Sequence, residues 1–425
     1  MTGTAASLRI TGVAVGGDGV AREPSGRVVF VEGALPGELV TARLVAERRG
    51  HARAVVTSVR EPAGGRVAAP CPFVAAGCGG CGWQHVAVPI QRELKAAMVT
   101  EALARLGGAV DPVVVAAPPL PDAGYRTTLR GVADDGGRVA LRRRHSHDLV
   151  AVPDCLVAHP LVAEVLAEGR FPPGAAVTVR AGAATGERMV VVDGPAGDGP
   201  DGSGGSGGSG EAGAPGEAGG DRDRIRVPDG VRVVGGAELA AGRRAWLHEA
   251  VAGVRLRVSA RSFFQASRDA AEALVVAVGD AAGDVGGGTR LADLYGGVGL
   301  FAATVGRRAR VEVVEASPSS AADARVNLRD LDARVVRSDV TRWRPRRMDV
   351  VVADPPRTGL GRRGVRVVSA TGAPRVVLVS CDAGSLGRDV RLLREAGYRL
   401  VTATVVDAFP HTSHVEVVSR LDRTD

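Results

Sequence analysis

The sequence predicts an α/β protein that ends in a doubly wound parallel sheet, with a small β-barrel at its start and a β-rich region between. Three patterns lead there. From Arg290 onward short apolar runs alternate with helical stretches, the sequence form of a parallel sheet with helices on both faces. Residues 1–60 hold short strand-like runs with glycines at the turns. Between about 112 and 192 apolar and polar positions alternate as they do in strands. A chain of 425 residues accommodates roughly two to four domains, and the boundaries fall at 1–60, 61–258 and 259–425.

In the first region the strand-like runs are 8–13, 27–31, 39–45 and 52–59. Small barrels bind RNA through a sheet face and loops, and Arg43, Arg48, Arg49 and Arg53 supply charge for that; a purely structural barrel has the same pattern. Next comes Cys71-x6-Cys78-x2-Cys81, rich in glycine, with Cys155 later and Cys381 far off. Five cysteines is an odd number for a disulfide framework. Four ligands plus one thiol with a separate task is the better division. Glycines let a backbone wrap closely, and clustered thiolates ligate iron–sulfur clusters or zinc; spacing alone leaves both open.

Leu94, Ala97, Met98, Ala102, Leu103 and Leu106 fall at helical spacing and predict a core-facing helix over 91–106, stopped by Gly107-Gly108. Arg142-Arg143-Arg144-His145 is either an RNA grip or a charged edge strand. Residues 194–224 are glycine, serine and acidic low complexity, with too little apolar surface to offset the entropy of ordering. A disordered surface insertion is expected there.

In the third region Leu291-Ala292-Asp293-Leu294-Tyr295 leads into Gly296-Gly297-Val298-Gly299, a glycine turn that permits close backbone approach at a strand's carboxyl end. The second strand ends at Glu315, an acid able to accept ribose hydroxyls. Asp339 follows the third, and Asp354-Pro355-Pro356-Arg357 closes the fourth. A dinucleotide dehydrogenase shares the glycine turn, but its fingerprint is incomplete here. The apolar run Val376-Val377-Leu378-Val379 delivers Ser380-Cys381, and Phe409-Pro410-His411-Thr412-Ser413-His414-Val415-Glu416 follows. Taken alone, Cys381 reads as a buried structural cysteine and Glu416 as a strand glutamate. Burial of Glu416 would raise its pKa toward that of a base useful near neutrality.

These last segments, with Asp354-Pro355-Pro356-Arg357, resemble the C-terminal signatures of the S-adenosylmethionine-dependent RNA uracil-5-methyltransferases, which make 5-methyluridine in tRNA and large-subunit rRNA. Gly12–Arg22 and Val29–Glu38 resemble the TRAM domain, an OB-like RNA-binding barrel. The resemblance implies a Rossmann-like class I methyltransferase domain that uses S-adenosyl-L-methionine. It implies donor contacts from Gln265 (in Phe263-Phe264-Gln265), Tyr295, Gly297, Gly299, Glu315, Asp339 and Asp354. It further implies a 4Fe-4S cluster on Cys71, Cys78, Cys81 and Cys155, Cys381 as nucleophile and Glu416 as general base. The sequence departs from the family pattern at Ser267 and Asp382, where asparagine is usual, and at Gly296, where cysteine is common; the first cysteine spacing is one residue longer.

The implied chemistry explains why such a pair is needed. Carbon 5 of uracil is a poor nucleophile, and thiolate attack at carbon 6 makes it enolate-like; a base must then remove the carbon-5 proton. Composition agrees with an RNA partner. The net charge of +7 favours polyanions, although an arginine surface set by coding bias gives the same number. Lys95 is the one lysine. With aromatics at 3%, base stacking would fall to arginine or to a few rings such as Trp83. No apolar run of about eighteen residues appears and no signal peptide, so a cytoplasmic, monomeric enzyme acting on tRNA or rRNA, without DNA or membrane partners, is expected. The rivals are an RNA cytosine-5 methyltransferase, whose Pro-Cys motif on the fourth strand is replaced here by Asp354-Pro355-Pro356, and a non-catalytic RNA-binding protein.

Overall fold

The computed structural model describes residues 5–195 and 224–424, so the expected insertion at 194–224 lies almost wholly outside the described residues. Six N-terminal strands form one curled sheet in the order Ala5–Arg9, Leu39–Glu47, His51–Glu61, Val28–Glu32, Gly19–Arg22 and Gly12–Val13. Alternate positions point inward and bury Val29, Val31, Val40, Ala42, Ala52 and Ala54. The run expected over 8–13 is two strands. It breaks at Ile10-Thr11, whose N–H groups donate to Glu38 and Val20 instead.

The central sheet has the order Leu149–Ala151, Val139–Arg142, Thr128–Ala133, Ala175–Ala181, Arg188–Pro195 and Val231–Gly235, backed by the buried face of helix Pro160–Glu168. Two segments of the same region pack elsewhere. Helix Val88–Arg105 places Val99, Ala102 and Leu103 in the core of the C-terminal sheet. Gly387 makes that approach possible, because a Cβ there would lie 2.6 Å from Ala102 O. Strand Val114–Ala116 joins the edge of the same sheet, parallel to Tyr398–Val406.

Seven further strands complete that sheet. In chain order they are Arg290–Leu294, Arg310–Glu315, Ala333–Arg337, Val350–Ala353, Arg375–Ser380, Tyr398–Val406 and Glu416–Arg423, and they lie side by side as third, second, first, fourth, fifth, seventh, sixth. Buried on both faces, the fourth and fifth are near-continuous valine runs. The first five are mutually parallel, and the order reverses between the first and fourth, where such sheets open a crevice at their carboxyl ends. The seventh is antiparallel to the fifth. Its first residue therefore arrives where the fifth strand ends. Among the described residues no helix is long and apolar enough to cross a membrane.

Candidate active site

Cys381 follows the fifth strand and Glu416 opens the seventh. Ser380 pairs with Val417, so thiol and carboxyl reach the same end of the sheet from opposite chain directions. Asp354 follows the neighbouring fourth strand. Burial pushes the Cys381 thiol up to about 12, Glu416 and Asp354 adding to the shift and Arg357 opposing it. Burial likewise pushes Asp354 up to about 7. Glu416, 6% exposed, is raised well above the carboxylate range by burial and then by Asp354, against Arg357. All three groups hold protons more tightly than in water, because desolvation disfavours their anions and, at Cys381 and Glu416, neighbouring negative charge adds to it. Arg357 donates to His414 Nδ1 at 3.2 Å. Burial and that guanidinium hold His414 down to about 4, leaving the ring a neutral acceptor.

The glycine turn sits at the end of the first strand, with Tyr295, Gly297 and Gly299 at φ of 59°, 55° and 90°. Glu315 holds it in place: its carboxylate accepts from Gly297 N at 2.9 Å and from Ser317 N at 2.6 Å. Two such bonds leave further lone pairs on the carboxylate for a ligand's hydroxyls. Asp339 is exposed and uses Oδ1 for Thr341 N and Oγ1. At Gly296 an added Cβ would lie 2.6 Å from Val313 Cγ1, so the cysteine common at this position has no room unless Val313 moves.

Gln265 is buried and lines a cavity of about 1000 Å³ together with Phe409 and Glu416. Its loop is held from three sides. Arg180 donates to the carbonyls of Ser259, Ala260 and Ser262, Thr127 N and Oγ1 to Ala266 O, and Ser262 Oγ to Asp323. Ser267 caps helix Arg268–Ala282, its Oγ accepting from Ala270 N, and Asp382 caps Ala383–Glu395 through Ser385 N. Both substitutions for asparagine thus keep a good N-cap.

Cys71, Cys78, Cys81 and Cys155 line the same cavity. Burial raises the thiols of Cys78 and Cys155, and that of Cys81 to about 11. Among the described residues no group of three or more His, Cys, Asp or Glu side chains is placed to hold a metal ion. Trp83 cannot stack on a base: it is 4% exposed, with Nε1 donating to Gly17 O at 3.1 Å. Arg144 and His145 both reach Glu32 of the barrel, so this part of the basic run fastens one region to another.

Three supporting residues were not legible as site residues. Lys95 Nζ donates to Asp407 Oδ1 at 2.5 Å and to Phe409 O at 2.9 Å. Gln91 Oε1 accepts from His411 N at 2.7 Å. Asp293 accepts from Ala302 N through Oδ2 while Oδ1 is buried without a partner, and burial pushes it up to about 7. The available signals were a single lysine in an arginine-rich chain and an acid inside an apolar strand.

A glycine turn after the first strand, an acid ending the second, acids following the third and fourth, and an antiparallel seventh strand define an S-adenosylmethionine-dependent methyltransferase domain. Residues 1–57 match the TRAM domain model, and residues 333–424 match the model described as tRNA (Uracil-5-)-methyltransferase. An uncharacterized RNA methyltransferase of Streptomyces coelicolor is 35% identical over 99% of this chain and 93% of its own length. The 23S rRNA (uracil(1939)-C(5))-methyltransferase RlmD of Alkalilimnicola ehrlichii is 35% identical over 98% of this chain and 96% of its own. The crystal structure of Pyrococcus abyssi tRNA (uracil-54, C5)-methyltransferase in complex with S-adenosyl-L-homocysteine shares the fold, with a TM-score of 0.70, 22% identity and coverage of 98% of this chain and 99% of that one. The chain belongs to the family of S-adenosylmethionine-dependent RNA uracil-5-methyltransferases.

Proposed function

We propose that the enzyme methylates carbon 5 of a specific uridine in tRNA or rRNA through a covalent bond between Cys381 Sγ and carbon 6. The observation that supports this most is the antiparallel pairing of the fifth and seventh strands, which brings one thiol and one carboxyl to the same crevice from opposite chain directions. As Cys381 Sγ bonds carbon 6 it gives up its proton to Asp354, a neighbouring carboxylate, which leaves Glu416 ionised for the later proton transfer. The carbon 5–carbon 6 electron pair then makes carbon 5 nucleophilic. S-adenosylmethionine supplies the electrophilic methyl group. Glu416 takes the carbon-5 proton, and the Sγ–carbon 6 bond breaks to restore the ring. A carboxylate whose proton affinity is raised by burial suits that last task.

For the donor we assign the turn Tyr295, Gly297 and Gly299, with Glu315 for the ribose, Asp339 for the adenine, and Asp354 and Gln265 beside the reacting groups. The division we propose gives 1–60 to RNA binding, 61–258 to the cysteine cavity and its supporting sheet, and 259–425 to methyl transfer. Cys71, Cys78, Cys81 and Cys155 line one cavity and are right in kind for a 4Fe-4S cluster, which would have to draw them closer together, since among the described residues no three of them are placed to hold a metal ion. Such a cluster would bind the loop 71–81 to Pro153-Asp154-Cys155. Protein purified without oxygen should carry iron and acid-labile sulfide, and Cys155→Ser should lose both; stoichiometric zinc in their place would overturn the assignment. Incubation with labelled donor and unmodified tRNA or rRNA, followed by nucleoside-resolved mass spectrometry, tests the reaction. Label in 5-methyluridine is expected. Label in 5-methylcytidine, or none despite donor binding, would overturn it.

A further inference from the structure

The loop that leads to Glu416 is fastened to a turn of the N-terminal barrel some 400 residues away in sequence. Ser413 Oγ donates to Gly16 O at 2.7 Å and Trp83 Nε1 to Gly17 O at 3.1 Å, while Trp83 N donates to His411 O at 2.8 Å. Gly17 is packed so closely that a Cβ would lie 2.4 Å from Ser413 Cβ and 2.8 Å from Trp83 Nε1, and its φ of 98° already excludes most side chains. Val15, in the same turn, lies against the start of the helix after Cys381: its Cγ1 is 3.6 Å from the position of a Cβ at Gly384.

One turn therefore touches the loop preceding the base and the helix following the nucleophile. His411, at φ 66°, is held on its other side by Gln91. This loop has no strand of its own. Between Val406 and Glu416 the chain is irregular, and its path is set by what grips it.

We infer that the Val15–Gly17 turn of the barrel is a positioning element for the general base, so that the barrel acts on the chemical step as well as on RNA binding. This rests on the assignment of Cys381 and Glu416 above. A barrel that only holds RNA would, when perturbed, raise KM and leave kcat unchanged. A positioning turn has the opposite signature. Release from the adduct slows, because misplacement of a catalytic group by about 1 Å costs up to about a hundredfold in rate.

The test compares Ser413→Ala, which deletes one hydrogen bond without adding bulk, and Gly17→Ala, which forces the turn off the loop, with the unaltered enzyme on one uridine-containing RNA. Single-turnover release of 5-methyluridine should slow about three- to tenfold for Ser413→Ala and about ten- to a hundredfold for Gly17→Ala. The methylated protein–RNA adduct should accumulate on denaturing gels, with the RNA dissociation constant changed less than about twofold. Weaker RNA binding with normal release in Ser413→Ala would overturn the inference, and so would slow release without adduct. Absence of 5-methyluridine from the unaltered enzyme would instead count against the proposed reaction.

Discussion

Lys95→Met should loosen the loop that precedes Glu416 by an amount the structure allows to be worked out. Lys95 is 0% and Asp407 8% exposed. Burial lowers the ammonium's proton affinity and Asp407 opposes that shift, so the charge depends on its partner. Removing one member of a buried pair costs about 3–5 kcal/mol, because the other is left uncompensated. The lost bond to Phe409 O adds about 1 kcal/mol. Arg92 Nε, 3.5 Å from Asp407 but without a hydrogen bond to Oδ2, offsets part of the loss. About 3 kcal/mol is therefore expected for Lys95→Met, with a coupling of about 2 kcal/mol to Asp407→Asn in a double-mutant cycle. Urea unfolding gives the stability, and hydrogen exchange at Phe409, His411 and Thr412 locates it. A cost below about 1 kcal/mol, or additive single mutants, would refute the view that this pair holds the loop.

Other expectations follow from the same contacts. Cys381→Ala should abolish methyl transfer while donor affinity, by calorimetry, stays within about twofold; residual turnover above about one part in a thousand would exclude the thiol as nucleophile. Asp293 and Asp354 are both raised from 3.8 to about 7 by burial. At these two groups the native state binds more protons than the unfolded state between those values, so their contribution to the stability of the donor-free protein should fall as pH rises from about 4 to about 7. Asp293→Asn should flatten that slope in thermal melts, and an unchanged slope would contradict it. Gly296→Cys should cost about 1–3 kcal/mol by overpacking and weaken donor binding, with Val313→Ala restoring both; tight binding in the single mutant would show that the turn has slack.

The C-terminal sheet could be read because its central strands are valine runs with chemistry at their ends, and both Cys381 and Glu416 sit at such ends. What pairs with what across the chain could not. Helix Val88–Arg105 has a helical pattern, but nothing in that pattern says that it packs on Ala383–Glu395 or that Lys95 reaches Asp407, 312 positions on. Trp83 misled for a related reason. A lone tryptophan in a glycine-rich loop suggests an exposed ring, and its burial depends on a barrel turn and the loop before Glu416, which both converge on it. The strand Gly19–Arg22 was missed because four residues led by glycine carry too little periodicity.

The decisive measurement is to incubate Glu416→Gln with donor and substrate RNA, digest with protease and nuclease, and find by mass spectrometry which peptide carries a nucleotide. If the strand ends act as nucleophile and base, the peptide containing Cys381 will carry a methylated uridine. Product released at the normal rate, or a nucleotide on any other residue, would contradict the mechanism.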